Sequence, residues 1–173
     1  NDRIVDVIAG GFDAAIRSGD LADSQLTARR LEPFRFVLCA TPAYFAQHGV
    51  PRVPADLARH ACIRFRFPTT GKLHDWQFRD QPANFVASFP TVLTCNNMEA
   101  LRGATVLGLG IGYMPDFLVR DDLAAGTLRT VLDAHLKHEG QFSVLWPSSR
   151  QLSPKLRVFV DFLAERLFGG REG

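Results

Sequence analysis

The sequence predicts an α/β fold with a mostly parallel sheet. Three observations carry this. Strand-like and helix-like stretches alternate along the whole chain. Phe36-Val37-Leu38-Cys39-Ala40 is apolar throughout, as a strand covered on both faces requires. The stretch Cys95 to Pro115 then reads as one complete unit of strand end, helix, glycine turn and strand.

Residues 3 to 9, RIVDVIA, read as the end of a helix closed by Gly10-Gly11. Phe12 to Arg17 is a short strand, and Ser18-Gly19-Asp20 a turn. Leu26 to Leu31 is extended, and Phe34 to Ala40 is a strong strand. Thr41 is placed as an N-cap with Pro42 at the first helical position, and Gly49 stops that helix. The Pro-rich stretch from Pro42 to Pro54 is the best place for a crossing between lobes, and Ala55 to Leu57 makes a helical turn. Ala61 to Phe67 alternates as a strand with Arg64 and Arg66 on one face. Trp76 to Phe78 returns as a hairpin strand, and Asn84 to Phe89 is another extended piece.

The apolar run from Val92 to Cys95 stops at two asparagines. Asn96 suits an N-cap, with Glu99 three residues on completing a capping box. Met98, Leu101, Ala104, Thr105 and Leu107 give the helix an apolar side. Gly108 and Gly110 break it before the run Ile111 to Met114. A second helix, Asp116 to Gly126, precedes strands at Leu128 to Leu132 and Phe142 to Trp146. Ser153 caps and Pro154 opens a final helix whose core positions are Leu156, Phe159, Val160, Leu163 and Leu167.

At 173 residues the chain makes one large domain or two small lobes. It is 46% hydrophobic and 22% charged, the balance of a globular protein with a real core. A formal net charge of +2 announces no nucleic-acid-binding face. No run of ~18 apolar residues offers a membrane span. The chain opens on Asn1 with no signal peptide and no initiator Met, which fits a fragment whose N-terminal part is missing. Cys39, Cys62 and Cys95 are widely spaced and odd in number, which points to buried, reduced thiols and a cytoplasmic protein.

No catalytic constellation stands out. GxSxG, HExxH and phosphate-loop patterns are missing. Gly108, Gly110 and Gly112 follow a helix instead of opening one, the wrong order for a dinucleotide loop. His135 and His138 have a weak metal-like spacing in a polar segment, and no metal or cofactor is expected. His48, His60 and His74 stand next to turns and read as surface or capping residues. Arg64 and Arg66 either hold a carboxylate or form a solvated strand face. Ser18 and Thr41 follow strand ends, where open α/β sheets bind ligands, or serve as a turn residue and a cap. The helix after Asn96-Asn97 offers free amides to a small polar ligand, or has an ordinary capped end.

Four blocks in series carry a resemblance. RIVDVIAGGFDAAIRSGDLADSQLTARRL, VLCATPAYFAQHGVPRVPADLARHACIRF, NNMEALRGATVLGLGIGYMPDFLVRDDLAAGTLRTVL and LWPSSRQLSPKLRVFVDFLAERL resemble the effector-binding domain of LysR-type transcriptional regulators, over nearly the whole chain and in the family's order. The resemblance implies two Rossmann-like lobes of periplasmic-binding-protein type II. Lobe one would be 1–40 with 141–168, lobe two 41–140, and 169–173 a tail. It also implies a small-molecule effector held between the lobes, and a switch acting by differential affinity for two states, not an enzyme.

Residue by residue, the resemblance assigns Arg17 and Ser18 to a strand end on lobe one and Thr41 and Pro42 to the crossing. Arg64 and Phe65 fall on the lobe-two strand beside the cleft, Asn96 and Asn97 on the helix start facing the effector, and Gly112 and Tyr113 on a loop lining its back. The family's winged helix-turn-helix, its linker helix and the first β-α-β of lobe one are absent. DNA binding would therefore come only through the missing N-terminal domain, and lobe one would have an incomplete sheet. The full-length protein would be a homodimer or homotetramer, with no membrane partner. The effector would be a carboxylate or aromatic acid. Alternatives are a periplasmic-type solute-binding protein and a small-molecule enzyme on a two-lobed scaffold.

Overall fold

A computed structural model describes residues 13–18, 26–79, 81, 89–137, 140–147 and 154–166, apart from the side chains of 17, 18, 26, 32 and 164–166. The expected helix at 3–9 and its glycines, most of the turn at 18–20, most of the strand at 84–89, the Ser153 cap and Leu167 lie outside these residues. In chain order the elements are β1 (Ala15–Ser18), β2 (Leu26–Phe34), β3 (Phe36–Ala40), α1 (Pro42–His48), β4 (Cys62–Phe65), β5 (Thr91–Cys95) and α2 (Met98–Val106). There follow β6 (Ile111–Pro115), α3 (Arg120–Ala124), β7 (Arg129–Val131), β8 (Gly140–Pro147) and α4 (Pro154–Arg166).

The described residues fall into two compact units, one of 35–137 and one of 13–34 with 140–166. The division falls between Phe34 and Arg35, six residues before the expected boundary at 40/41. The Pro-rich stretch 42–54, expected to cross between lobes, lies wholly inside the first unit.

The first unit is a five-stranded sheet in the order β5-β4-β6-β3-β7. β4 runs parallel to both β5 and β6, whereas β3 runs antiparallel to β6 and β7. In the second unit both β1 and β2 pair antiparallel with β8. The first sheet is therefore mixed and the second antiparallel, instead of mostly parallel. Alternation of strand and helix in a sequence carries no sign of strand direction. A crossover such as β5-α2-β6 makes its two strands parallel, here on either side of β4.

The sheet of the first unit separates two cores. Leu38, Ala40, Cys62, Ile111 and Tyr113 project to one face, where Tyr44, Phe45, Leu57, Trp76 and Phe78 cover them. Val37, Cys39, Ile63, Phe65 and Met114 project to the other, under Leu101 and Ala104 of α2 and Val119 and Leu128. The alternation within each strand is the pleat of a sheet covered on both sides.

Several caps formed as expected. Thr41 Oγ1 accepts from Tyr44 N at 3.1 Å with Pro42 at the start of α1, and Gly49 closes it at φ 83°. At α2 the cap is displaced by one residue. Asn97, not Asn96, accepts from Ala100 N at 3.0 Å, so Glu99 is out of register for a capping box. Asn97→Ala is expected to destabilise the chain by about 1 kcal/mol, and Asn96→Ala by a few tenths, read from urea midpoints.

Other elements differ from expectation. Arg35 interrupts the stretch 34–40, so Phe34 ends β2 and β3 starts at Phe36. Trp76 and Phe78 do not form a hairpin strand. Their rings are buried, and the segment makes only the bridges Arg66↔Leu73 and Phe78↔Leu136. The expected helix 116–126 is a turn at Asp116–Leu118 and then α3, broken at Val119. Leu107 and Phe159, expected in the core, are exposed at 79% and 45%. Leu107 is the C-cap of α2, where the helical face no longer points at the sheet. In α4 the core is the narrower stripe Leu156, Val160 and Leu163.

Gly110 sits where the chain enters β6. A Cβ there would stand 2.5 Å from the carbonyl oxygen of Ala61, and that oxygen accepts from Ile111 N at 2.8 Å. α2 is tied to α3 by a bidentate pair, Arg102 Nε to Asp122 Oδ2 at 2.6 Å and Nη2 to Oδ1 at 3.0 Å.

Candidate functional site

In the first unit the chain leaves β4 for β5 on one side, then crosses back through α2 to β6 on the other. β4 therefore has neighbours reached in opposite directions. Crevices outside the carboxyl ends of strands at such a reversal are where open α/β sheets take up ligands. The residues at these ends are Arg64 and Phe65 of β4, Cys95 of β5 with Asn96 and Asn97 beyond it, and Tyr113 of β6.

Register decides what shares a face. Ile63 pairs with Gly112, so Arg64 falls beside Tyr113, and Phe36 of β3 pairs with Pro115 at the end of β6. Phe36 and Tyr113 stack with centroids 4.8 Å apart. His74 tilts against both, at 5.0 Å and 5.5 Å. Trp76 stands 5.8 Å from Tyr113, with the Arg64 guanidinium 5.5 Å over its ring. Phe65 and Phe67 meet edge-on at 5.3 Å.

Arg64 is buried, at 2% exposure, and its Nη2 donates to the backbone carbonyl of His74 at 3.1 Å. Burial lowers its pKa from the ordinary guanidinium value, while Cys62 and Asp75 oppose that. Arg66 lies past the strand end and is exposed, donating to Gly71 O at 2.7 Å. The two arginines thus do not form one solvated face. The β4 strand is covered on both sides, and only its continuation reaches water.

Of the histidines expected as surface or capping residues, His60 caps the turn Pro54–Arg59 and is buried, and His74 is half-buried. His60 Nδ1 meets the Tyr44 hydroxyl at 3.3 Å, and that hydroxyl accepts from Ala61 N at 2.9 Å. His74 N donates to Phe65 O at 2.8 Å, which roots the segment after β4 against its strand. Burial pushes the His74 imidazole down to about 4, helped by Arg64 and opposed by Asp75.

Gly112 and Tyr113 belong to the buried strand β6, not to a loop. A Cβ on Gly112 would meet Thr105 Oγ1 and Met114 Cε, so the glycine lets α2 close on the sheet. Burial raises the Tyr113 phenol to about 12, though a Gln77 backbone hydrogen bond pulls the other way.

The structure brings Arg64, Phe65, Tyr113, Asn96 and Asn97 to one end of the sheet. Because β3 runs antiparallel to β6, Thr41 and Pro42 lie at the opposite end, near Gly108. Arg17 and Ser18 belong to β1 of the second unit, pairing with Ser143 and Phe142, and their side chains lie outside the described residues. Sequence reasoning missed His74, Trp76, Phe36 and Phe67 as site residues. The aromatic density of RFRF and HDWQF was the available signal.

No group of three or more His, Cys, Asp or Glu able to hold a metal occurs among the described residues. Burial raises the thiols of Cys39 and Cys62 to about 12, which makes them poor nucleophiles. No helix among the described residues is long and apolar enough to cross a membrane.

The chain matches the family model described as LysR substrate binding domain over residues 1–168. It is 37% identical over 168 residues to the HTH-type transcriptional regulator CrgA of Neisseria meningitidis serogroup C (strain 8013), covering 96% of this chain and 55% of that protein. It is 36% identical over 166 residues to the uncharacterized HTH-type transcriptional regulator YhjC of Escherichia coli (strain K12), covering 95% and 55%. The solved regulatory domain of CrgA from Neisseria meningitidis matches with a TM-score of 0.79 at 36% identity, covering 92% of this chain and 78% of that one. The chain spans about half the length of the curated relatives it matches.

Proposed function

Because the chain belongs to the LysR substrate-binding domain family, whose domains bind small-molecule effectors and are not enzymes, we propose that it senses a small aromatic molecule at the carboxyl ends of β4, β5 and β6. The observation that carries this is the ring-lined face where Phe36, His74, Trp76 and Tyr113 surround the buried Arg64. Small-molecule sites are mostly apolar with a few placed polar groups, and this face has that composition. In the full-length protein, a homodimer or homotetramer in the cytoplasm, occupancy of the site biases one of two states and so alters how N-terminal domains hold DNA.

A thermal-shift screen of small aromatics and carboxylates on the chain tests the reading. At least one of them raises the midpoint in a saturable way. If none does at millimolar concentration, the site falls.

A carboxylate effector is the second reading, favoured by Arg64 itself. In that case Arg64→Ala weakens binding about tenfold or more, while Arg66→Ala, whose side chain sits at the surface, changes it less than about twofold. Equal losses in both variants by calorimetric titration would remove Arg64 from the site.

A further inference from the structure

Tyr44 of α1 and His60 form a buried pair beside Ala61, which leads into β4 at the end away from the candidate site. The Tyr44 hydroxyl accepts from Ala61 N at 2.9 Å and lies 3.3 Å from His60 Nδ1. Ala61 is held on its other side too, because its carbonyl accepts from Ile111 N at 2.8 Å where β6 begins. One hydroxyl thus fastens α1 to the junction of β4 and β6.

Proton counting fixes the direction of the bond to His60. An amide N–H only donates, so the Tyr44 oxygen is the acceptor for Ala61. The hydroxyl keeps one proton to give, and His60 Nδ1 is the acceptor within reach among the described residues. Neutral His60 therefore presents a lone pair at Nδ1 and carries its proton on Nε2. A proton added at Nδ1 removes that lone pair. Two N–H groups then converge on one oxygen, and the hydroxyl proton loses its partner. Both side chains are buried, so water is not at hand to replace it.

The surrounding charges do not rescue the imidazolium. His48 of α1 stacks on Tyr44 at 4.5 Å, and both it and Arg59 oppose positive charge on His60. Asp56 favours that charge, but its carboxylate already accepts from Arg52 N, Val53 N and the Arg59 guanidinium. On the strand side stands Cys62, whose buried thiol stays neutral and donates to the His60 carbonyl. Burial, ahead of these charges, lowers the His60 pKa from its ordinary 6.5. The bonded arrangement therefore holds above pH 6.5 and weakens as pH falls below it.

We propose that Tyr44 and His60 form a proton-operated latch, which locks α1 to Ala61 while His60 is neutral and frees α1 from the start of β4 when His60 takes a proton. The proton is then a second input to the first unit. It acts at the far end of β4 from the candidate effector site and does not depend on what that site binds.

The test is amide exchange by NMR at pH 7 and pH 5.5 on the 173-residue chain and on His60→Asn, corrected for the intrinsic pH dependence of exchange. Asparagine sets an acceptor oxygen near the place of Nδ1 and does not titrate. His74 is present in both chains, so its own titration cancels. Protection of the Ala61 amide falls by about threefold or more between the two pH values in the unaltered chain relative to His60→Asn. Histidine ring-nitrogen spectra at pH 7.5 show His60 protonated at Nε2 and bare at Nδ1. In Tyr44→Phe the Ala61 amide is poorly protected at both pH values. The proposal is overturned if Nδ1 carries the proton, if Ala61 keeps its protection at pH 5.5, or if His60→Asn loses it equally. Should His60→Asn not fold, Tyr44→Phe decides, since a fall of the same size without the hydroxyl also overturns the latch.

Discussion

Gly110→Ala is expected to cost upward of about 3 kcal/mol, the largest loss from adding a single methyl group in the first unit. The added Cβ would stand 2.5 Å from the carbonyl oxygen of Ala61 and 3.0 Å from its carbon. Neither atom belongs to a side chain that can turn away. Relief requires the Ala61 carbonyl to move, and that carbonyl receives the Ile111 N–H at the point where β6 joins β4. The clash therefore also strains the ladder that holds the parallel strands together. Gly103→Ala is the matched control. It lies inside α2 with nothing within 4 Å of the new atom, so alanine there is expected to stabilise by roughly 0.5–1 kcal/mol. Urea denaturation of both variants beside the unaltered chain checks the pair. Midpoints that shift alike would show that the contact at Ala61 is easily relieved.

The second large effect is on pH. His74 is expected to make the chain progressively less stable as pH falls from about 6.5 to about 4. Its folded pKa is depressed to about 4 from an ordinary 6.5, chiefly by burial, with Arg64 adding to the shift and Asp75 opposing it. Between those values the unfolded chain binds a proton that the folded chain refuses. Stability therefore rises with pH across the window and is lost on acidification, by about 1.4 kcal/mol per unit and about 3 kcal/mol in all. Below pH 4 both states are protonated and the contribution of this residue levels off. Other groups titrate in the same range, so the informative quantity is the difference between the unaltered chain and His74→Phe. That difference is expected to shrink steadily between pH 7 and pH 4.5 in urea titrations. A constant difference would place the imidazole in a wetter environment than its neighbours indicate.

Much of the first unit was legible where local chemistry decides structure. Thr41-Pro42 and Gly49 bound α1 because a hydroxyl cap, a proline at the first position and a glycine beyond the end act within one turn. Phe36 to Ala40 is a buried strand because five consecutive apolar residues leave no side for water. Legibility ended where the outcome depends on distant partners. The direction of β3 relative to β6 is set by how the chain returns to the sheet, and no residue of FVLCA encodes it. Arg64 reads as a surface residue by type. It is buried because a carbonyl ten residues later and the Trp76 ring together receive it. Asn96 and Asn97 differ in no local property, and which of them caps α2 follows from where β5 stops. For the same reason the candidate site was only half visible. Arg64, Phe65 and Tyr113 could be placed by position, whereas His74 gained its surroundings only when Phe36 and Phe67 were folded onto it.

The five-stranded sheet with a separate core on each face also bears on how the sequence can change over time. Ring-bearing residues around Arg64 lie on one side, and α2 with Leu101, Ala104 and Met114 on the other. Substitutions that trade volume beneath α2 are compensated mostly among residues on that side, because effects separated by a layer of backbone are nearly independent where no side chains touch, and Phe65, which meets Phe67 edge-on, is where the two sides couple. Descendants of this chain can thus acquire a new ligand preference by altering Phe36, Phe67 or His74 while the α2 side drifts on its own schedule. The backbone of β4 and β6 is the one component that both histories must leave intact.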